Sequence, residues 1–310
     1  MRGVLDGATS VTLRAMGTDV RLDGLGAERV AAEIVRLESM MTRFRPSPLT
    51  DLNARGRLSH PPAELVAALR WSKEAARVSA GLVTPLVLRA LEHHGYRRSW
   101  PDVDAPGSAA TPGASDPAGA AGGSGSCIPA GSPPPVPGLD ALVVRDDEVL
   151  LAPGAGVDLG GTAKSWIVEH AASRFVGPFV ADAGGDVLLR LDLPAEVAIA
   201  DAAEAWHLRL PPGTWGVATS SVTRRAWAGG HHLIDPRTGR PARGPWVQAT
   251  AVAPSLQAAE VASKLMLFDV PIPTELEIVG AWAVDAVGAL VDDMNGKEGR
   301  HREGSLALVA

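Results

Sequence analysis

The feature that most restricts this chain is a stretch in its middle, residues 99–138, SWPDVDAPGSAATPGASDPAGAAGGSGSCIPAGSPPPVPG. Pro, Gly, Ala and Ser dominate it, with too little apolar bulk to offset the entropy of ordering it. It reads as a flexible surface insertion, not a domain, so the core must come from the sequence on either side. That supply is ample: the 310-residue chain is 46% hydrophobic, enough for a sizeable core. We expect one domain over residues 1–310 with a polar C-terminal tail at 292–310.

Apolar periodicity assigns the elements. Val11, Leu13 and Ala15, then Val20 and Leu22, alternate on two short strands broken by Gly17. Val30, Ile34, Leu37 and Met41 share one face of a helix over 27–41. Residues 42–53, TRFRPSPLTDLN, read as a loop. A helix over 61–80 opens on Pro61-Pro62 and stops at Gly81, and another runs from Pro85 to about Gly95. Beyond the insertion, residues 141–153 form a hairpin. GVDLGGTAKSWIVEHAASRF (156–175) leads from a loop into a helix, and FVADAGGDVLLRLD (179–192) is strand, tight turn, strand. Short strands recur at 195–201, 205–210, 215–219 and 247–253. A helix over 255–268 has Ser255 as its N-cap, and two strands near 281–291 precede the tail. Clustered helices and consecutive strands give an α+β fold, with a mixed or antiparallel sheet core flanked by helices.

Four turns can carry chemistry. VDLGGTAKSW (157–166) runs from a strand-like segment through Gly-Gly into a helix, with Lys164 in the first turn. Bare amides at a helix start attract anions, but the glycine spacing fits neither a P-loop nor a dinucleotide fingerprint. An ordinary strand–helix connection explains it as well. In ADAGGDVLL (181–189), Gly184-Gly185 suits a hairpin with positive φ. In WGVATSSVTRR (215–225), Thr219 and Ser220 close an apolar strand, where hydroxyls bind a polar ligand or cap the chain. In GGHHLIDPRTGRPA (229–242), His231 or His232 is a candidate base near neutral pH, beside an Asp-Pro-Arg-Thr-Gly turn.

Charge and cysteine use exclude other classes. The net charge of −6 offers no nucleic-acid footprint. The single cysteine, Cys127, forms no internal disulfide and fits a reducing compartment. No run of about 18 apolar residues marks a membrane segment, and the N-terminus lacks a secretory h-region. The expectation is a cytoplasmic protein, with export left open for a trimmed chain.

Read together, these motifs resemble the ApbE family, the FAD:protein FMN transferases. The resemblance runs through AMGTDV (15–20), TRFRPSPLTDLN, GLVTPLVLRAL (81–91), VDLGGTAKSW, ADAGGD, VATSS (217–221) and HHLIDPRTGRPA (231–242), to the helix at 255–268. It implies a nucleotide cleft between subdomains. There FAD is split with Mg²⁺, FMN moves to a Ser or Thr of an acceptor flavoprotein, and AMP leaves. By the same resemblance Met16 and Phe44 contact the flavin side, with Thr84 nearby. Lys164 lies by the phosphates, and Asp182, Gly184, Gly185 and Asp186 bound the nucleotide pocket. Thr219, Ser220, His232 and Leu233 line the isoalloxazine end, His232 is the base, and Asp235 fixes the turn that aims it. Ala163, through its backbone oxygen, and Glu260 are the implied metal ligands.

The chain departs from the family on its late helix, AAEVASKLM (258–266). Glu260 replaces an Asp, and Lys264 replaces the Thr four residues on. Glu remains a hard oxygen donor, but a protonated lysine has no acceptor. Three readings stay open: metal held by Glu260 and waters, Lys264 in place of the metal, or a dead site that leaves a flavin binder. An i,i+4 ion pair on a helix surface competes with all three. Val83-Thr84-Pro85 stands where Phe-Asp-Pro is common, and Ser165 and Ser221 stand where glycine is usual. The same cleft with water as acceptor would hydrolyse FAD.

Overall fold

The computed structural model describes residues 9–99, 131–199, 207–228, 230–292, 300–301 and 305–307. Most of the expected insertion, including Cys127, and most of the C-terminal tail lie outside these residues. In chain order the elements are β1 (Ser10–Ala15), β2 (Thr18–Gly24), α1 (Ala27–Met41), α2 (Pro48–Arg55), β3 (Arg57–Ser59), α3 (Ala63–Val78) and, after a 3-10 turn at Pro85–Val87, α4 (Leu88–His93). Then come β4 (Leu142–Val144), β5 (Glu148–Leu151), α5 (Ala163–Ala172), β6 (Phe179–Ala183), β7 (Asp186–Leu191), β8 (Ala195–Ala198), β9 (His207–Leu210) and β10 (Gly213–Ser221). Two short ladders follow, β11 (Ala226–Trp227) with β12 (Gly230–His231), and β13 (Ile234–Asp235) with β14 (Arg240–Pro241). The chain closes with β15 (Trp246–Ala253), α6 (Leu256–Leu267), β16 (Gly280–Asp285), β17 (Leu290–Asp292), β18 (Arg300–His301) and β19 (Ser305–Ala307).

Among the described residues, nine strands make one antiparallel sheet in the order β1-β2-β6-β7-β10-β15-β16-β17-β18. Its side chains alternate with period two. Ala181, Leu188, Ala218 and Ala251 point into the core shared with α1, α5 and α6. Their neighbours Val180, Leu189, Val217 and Val252 point the other way, into a core with Val197, Leu208 and Leu210 of a small sheet ordered β19-β9-β8. The helix-facing side is therefore mostly alanine, which lets helices approach closely. At Gly216 of β10 the approach is closest: a Cβ there would lie 2.2 Å from Leu256 Cα, at the start of α6. The N-terminus of α6 is held by Ser255, whose side chain accepts from Ala258 N, and by Glu169 of α5, which accepts from Leu256 N. Its expected cap is present.

The predicted apolar face of α1 is buried at Val30, Ile34, Leu37 and Met41, each worth about 1.5–3 kcal/mol relative to exposure. The loop reading of residues 42–53 is corrected: α2 begins inside it. Ser47 accepts from Thr50 N while Thr50 accepts from Ser47 N, and Pro48 sits in the first turn. Proline and serine there start a helix rather than interrupt one. At the far end of the insertion, Val136 packs against both the main core and the cluster of Tyr96, Trp227 and Ile234. Among the described residues, no helix is long and apolar enough to cross a membrane.

Candidate active site

Two connected hollows open where these loops meet. The first, about 280 Å³, has an apolar and aromatic wall of Met16, Phe44, Leu82, Tyr96, Leu233 and Phe268. The second, about 300 Å³, is polar and hydroxyl-rich, with Thr18, Thr219, Ser220, Ser221 and Thr223 on its surface. Gly17, Gly160, Lys164, Arg225, His232 and Lys264 line both and form the junction.

The aromatic wall is built from distant segments. Tyr96 stacks on Trp227 with ring centroids 5.1 Å apart, and Phe44 meets Tyr96 edge-on at 5.7 Å. The Arg43 guanidinium lies 4.2 Å from the Phe44 centroid, an electrostatically favourable cation–π placement. Arg43 also pairs with Asp158 and donates to Tyr96 O at 2.9 Å. Asp158 in turn accepts from Gly160 N at 2.8 Å. The two side chains are buried, so this ion pair clamps the Gly160-Gly161 turn to the aromatic wall. Neither Arg43 nor Asp158 stands out in the sequence, although both lie in quoted motifs, because the pairing joins segments far apart in the chain.

Tight turns bring the other walls in. Met16 and Gly17 have φ of 54° and 68° and close the β1–β2 hairpin in the left-handed region that such two-residue turns require. Gly184 and Gly185, at 68° and 100°, do the same between β6 and β7. A Cβ on Gly184 would lie 2.0 Å from Thr18 Oγ1, so only glycine lets the two hairpins meet.

The adjacent histidines have different jobs. Both ring nitrogens of His231 are engaged: Nδ1 accepts from Leu233 N at 3.3 Å, and Nε2 lies 3.0 Å from Ala242 O. That pattern fixes a neutral ring donating from Nε2, and it staples the 231–242 segment. His232 turns to the junction, its buried Nδ1 without a hydrogen-bond partner among the described residues. Burial, then the nearby Arg225, Lys164 and Lys264 charges, push its pKa well below 6.5. His232 is thus a neutral imidazole at physiological pH, able to accept a proton.

Lys164, in the first turn of α5, pairs with Asp186 of β7. Across the junction, Lys264 Nζ lies 3.1 Å from Glu260 Oε1 and 3.4 Å from Glu260 O, while Ser165 donates to the other carboxylate oxygen. The Glu260–Lys264 pair is no surface ornament: its side chains are 1% and 9% exposed. Magnesium does not fit this donor set. It binds oxygen at about 2.0–2.1 Å in octahedral geometry, and Glu260 Oε1 already faces an ammonium. Among the described residues, no three His, Cys, Asp or Glu side chains converge on one point. Ala163 borders the apolar hollow and Glu260 the polar one, where the other two carboxylates, Asp19 and Asp186, pair with Arg14 and Lys164.

The structure gathers most of the predicted residues. Met16, Phe44, Thr84 and Leu233 line the first hollow, while Gly184, Asp186, Thr219 and Ser220 line the second. Asp182, Gly185 and Asp235 line neither. Asp182 accepts from Gly185 N within its own turn at 3.2 Å. Asp235 holds the Arg237 guanidinium at 2.8 Å and accepts the Thr238 and Gly239 amides on its carbonyl. It builds the turn rather than reaching the cleft. The unexpected hydroxyls are spent within the protein: Ser165 on Glu260, and Ser221 on Thr223 and Val247 O. Arg225, which donates to Met16 O at 3.3 Å, is a junction residue the sequence did not single out.

Known structures share this architecture. An ApbE protein from Thermotoga maritima matches with a TM-score of 0.71 and 19% identity, covering 93% of this chain and 97% of that one. The flavin transferase ApbE of Vibrio cholerae matches at 0.69 and 18%, covering 92% and 96%. The flavinyl transferase ApbE of Pseudomonas stutzeri, in its apo form, matches at 0.68 and 16%, covering 93% and 95%. No curated protein matches the sequence. The ApbE family profile matches residues 9–274, six of the nine strands of the large sheet and the helices that frame the cleft. The chain belongs to the ApbE family.

Proposed function

We propose that the protein is a FAD:protein FMN transferase, moving FMN from FAD to a Ser or Thr hydroxyl of an acceptor flavoprotein and releasing AMP. The observation that carries this reading is the junction, where a neutral histidine and three basic side chains separate an aromatic hollow from a hydroxyl-rich one. Family membership and two structural relatives named as flavin transferases point the same way.

In this reading the aromatic wall holds a planar ring system, and the pyrophosphate lies against Lys164, Lys264 and Arg225. His232 accepts the acceptor's hydroxyl proton as its oxygen attacks the FMN-side phosphorus. The new O–P bond forms as the bridging P–O bond breaks, and its electron pair leaves on AMP. Positioning and charge neutralisation supply most of the rate in such transfers.

The test is direct. The purified protein should quench the fluorescence of added FAD. With an acceptor it should release AMP and leave covalent flavin fluorescence on the acceptor band of a denaturing gel. AMP release at equal rate without acceptor would assign hydrolysis instead, and absence of quenching would remove the reading altogether.

A further inference from the structure

We infer that Lys264 supplies, as part of the chain, the positive charge that a divalent cation would otherwise bring to the pyrophosphate, so that this protein binds FAD without metal. The inference rests on the proposed reading and adds how the site meets the anion.

Three observations carry it. First, Lys264 is buried yet borders both hollows, where the pyrophosphate of a dinucleotide spanning them would pass. Its Cε would lie 3.7 Å from a Cβ placed on Gly161, so the ammonium stands beside the bare Gly160-Gly161 turn. Second, its donors are not exhausted. An ammonium has three N–H groups, and among the described residues Lys264 meets only the Glu260 carboxylate at 3.1 Å and the Glu260 carbonyl at 3.4 Å. As a compact point charge on a flexible stem, lysine suits phosphate. Third, the polar hollow is already basic. Five basic side chains and three carboxylates border it, so cations outnumber anions where the pyrophosphate would lie. A divalent cation added beside Glu260 would be repelled by Lys264 at close range.

Glu260 then has a second task. Burying a lysine unpaired is costly, and the carboxylate, itself fixed by Ser165, gives Lys264 an ion-pair partner at 3.1 Å.

The test is FAD affinity, read by flavin fluorescence quenching in excess EDTA and again in millimolar MgCl₂, with the full chain. The dissociation constant of the unaltered protein should agree within about twofold between the two. Removing Lys264 alone strands a buried carboxylate, so the decisive variant is the double substitution Glu260→Gln/Lys264→Met, with its thermal unfolding measured alongside. It should stay folded and bind FAD about tenfold or more weakly, the loss expected for one charge-assisted hydrogen bond, in either buffer. In Lys264→Thr, MgCl₂ should recover affinity lost in EDTA. FAD binding by the unaltered protein that needs Mg²⁺ would overturn the inference and leave the transferase reading standing. Unchanged affinity in the folded double variant would overturn it too, making the lysine purely structural. Absence of FAD binding in every condition would overturn both.

Discussion

Two adjacent histidines show how one bond pattern separates a structural ring from a reactive one. His231 has committed both nitrogens to backbone, whereas His232 stands in the cleft with a depressed pKa. His232→Ala should lower flavin transfer about 100-fold or more, the usual worth of a positioned base, while changing FAD affinity less than about threefold. Equal loss of both would assign His232 to binding, and the measurements are AMP release and fluorescence quenching. The histidines also set a pH dependence. Burial lowers the pKa of His94, His231 and His232 below 6.5. In the unfolded chain they take up protons near 6.5; in the folded chain they do so only at lower pH. The unfolded state therefore binds more protons in that window, and stability falls as pH drops below 6.5 and is complete above it. Thermal unfolding should show a flat midpoint between about pH 8 and pH 7 and a falling one between about pH 6 and pH 5.

At the scale of elements, the cleft depends on how closely α6 lies on the sheet. Gly216→Ala would force a methyl into Leu256 and should destabilise by about 1–3 kcal/mol in urea denaturation. It should also weaken FAD binding, because α6 carries Glu260 and Lys264. Asp158→Ala would leave Arg43 buried without its partner and release the Gly160 amide. A loss of about 3–5 kcal/mol is expected, again by urea denaturation. These elements also show what sequence makes legible. The α1 face, the Gly184-Gly185 turn and the Ser255 cap were readable because each depends on residues a few positions apart. The helix α2 was hidden because Pro48 and Ser47 act as breakers in one context and as an N-terminal signal in another. The Arg43–Asp158 clamp was hidden for a different reason: its residues meet only once the fold has closed. Lys264 was conspicuous as an unexpected residue, but only burial distinguishes it from a surface ion pair.

For the whole molecule, the cleft is assembled from loops that share no element: the β1–β2 and β6–β7 turns, the 157–164 connection, the end of β10 and the 225–234 segment. A ligand touching all of them ties the molecule together. FAD at about 100 times its dissociation constant should add about 2.7 kcal/mol of stability, readable as a rise in thermal midpoint. The alanine face of the central sheet has a further consequence. Methyl groups act there as a spacer of fixed thickness between sheet and helices. Lengthening Ala218 or Ala251, on the two strands that α6 packs against, would lift the Glu260–Lys264 pair outward and make the hollow shallower, so variation in this layer would tune which nucleotides can enter without altering a single residue that touches them.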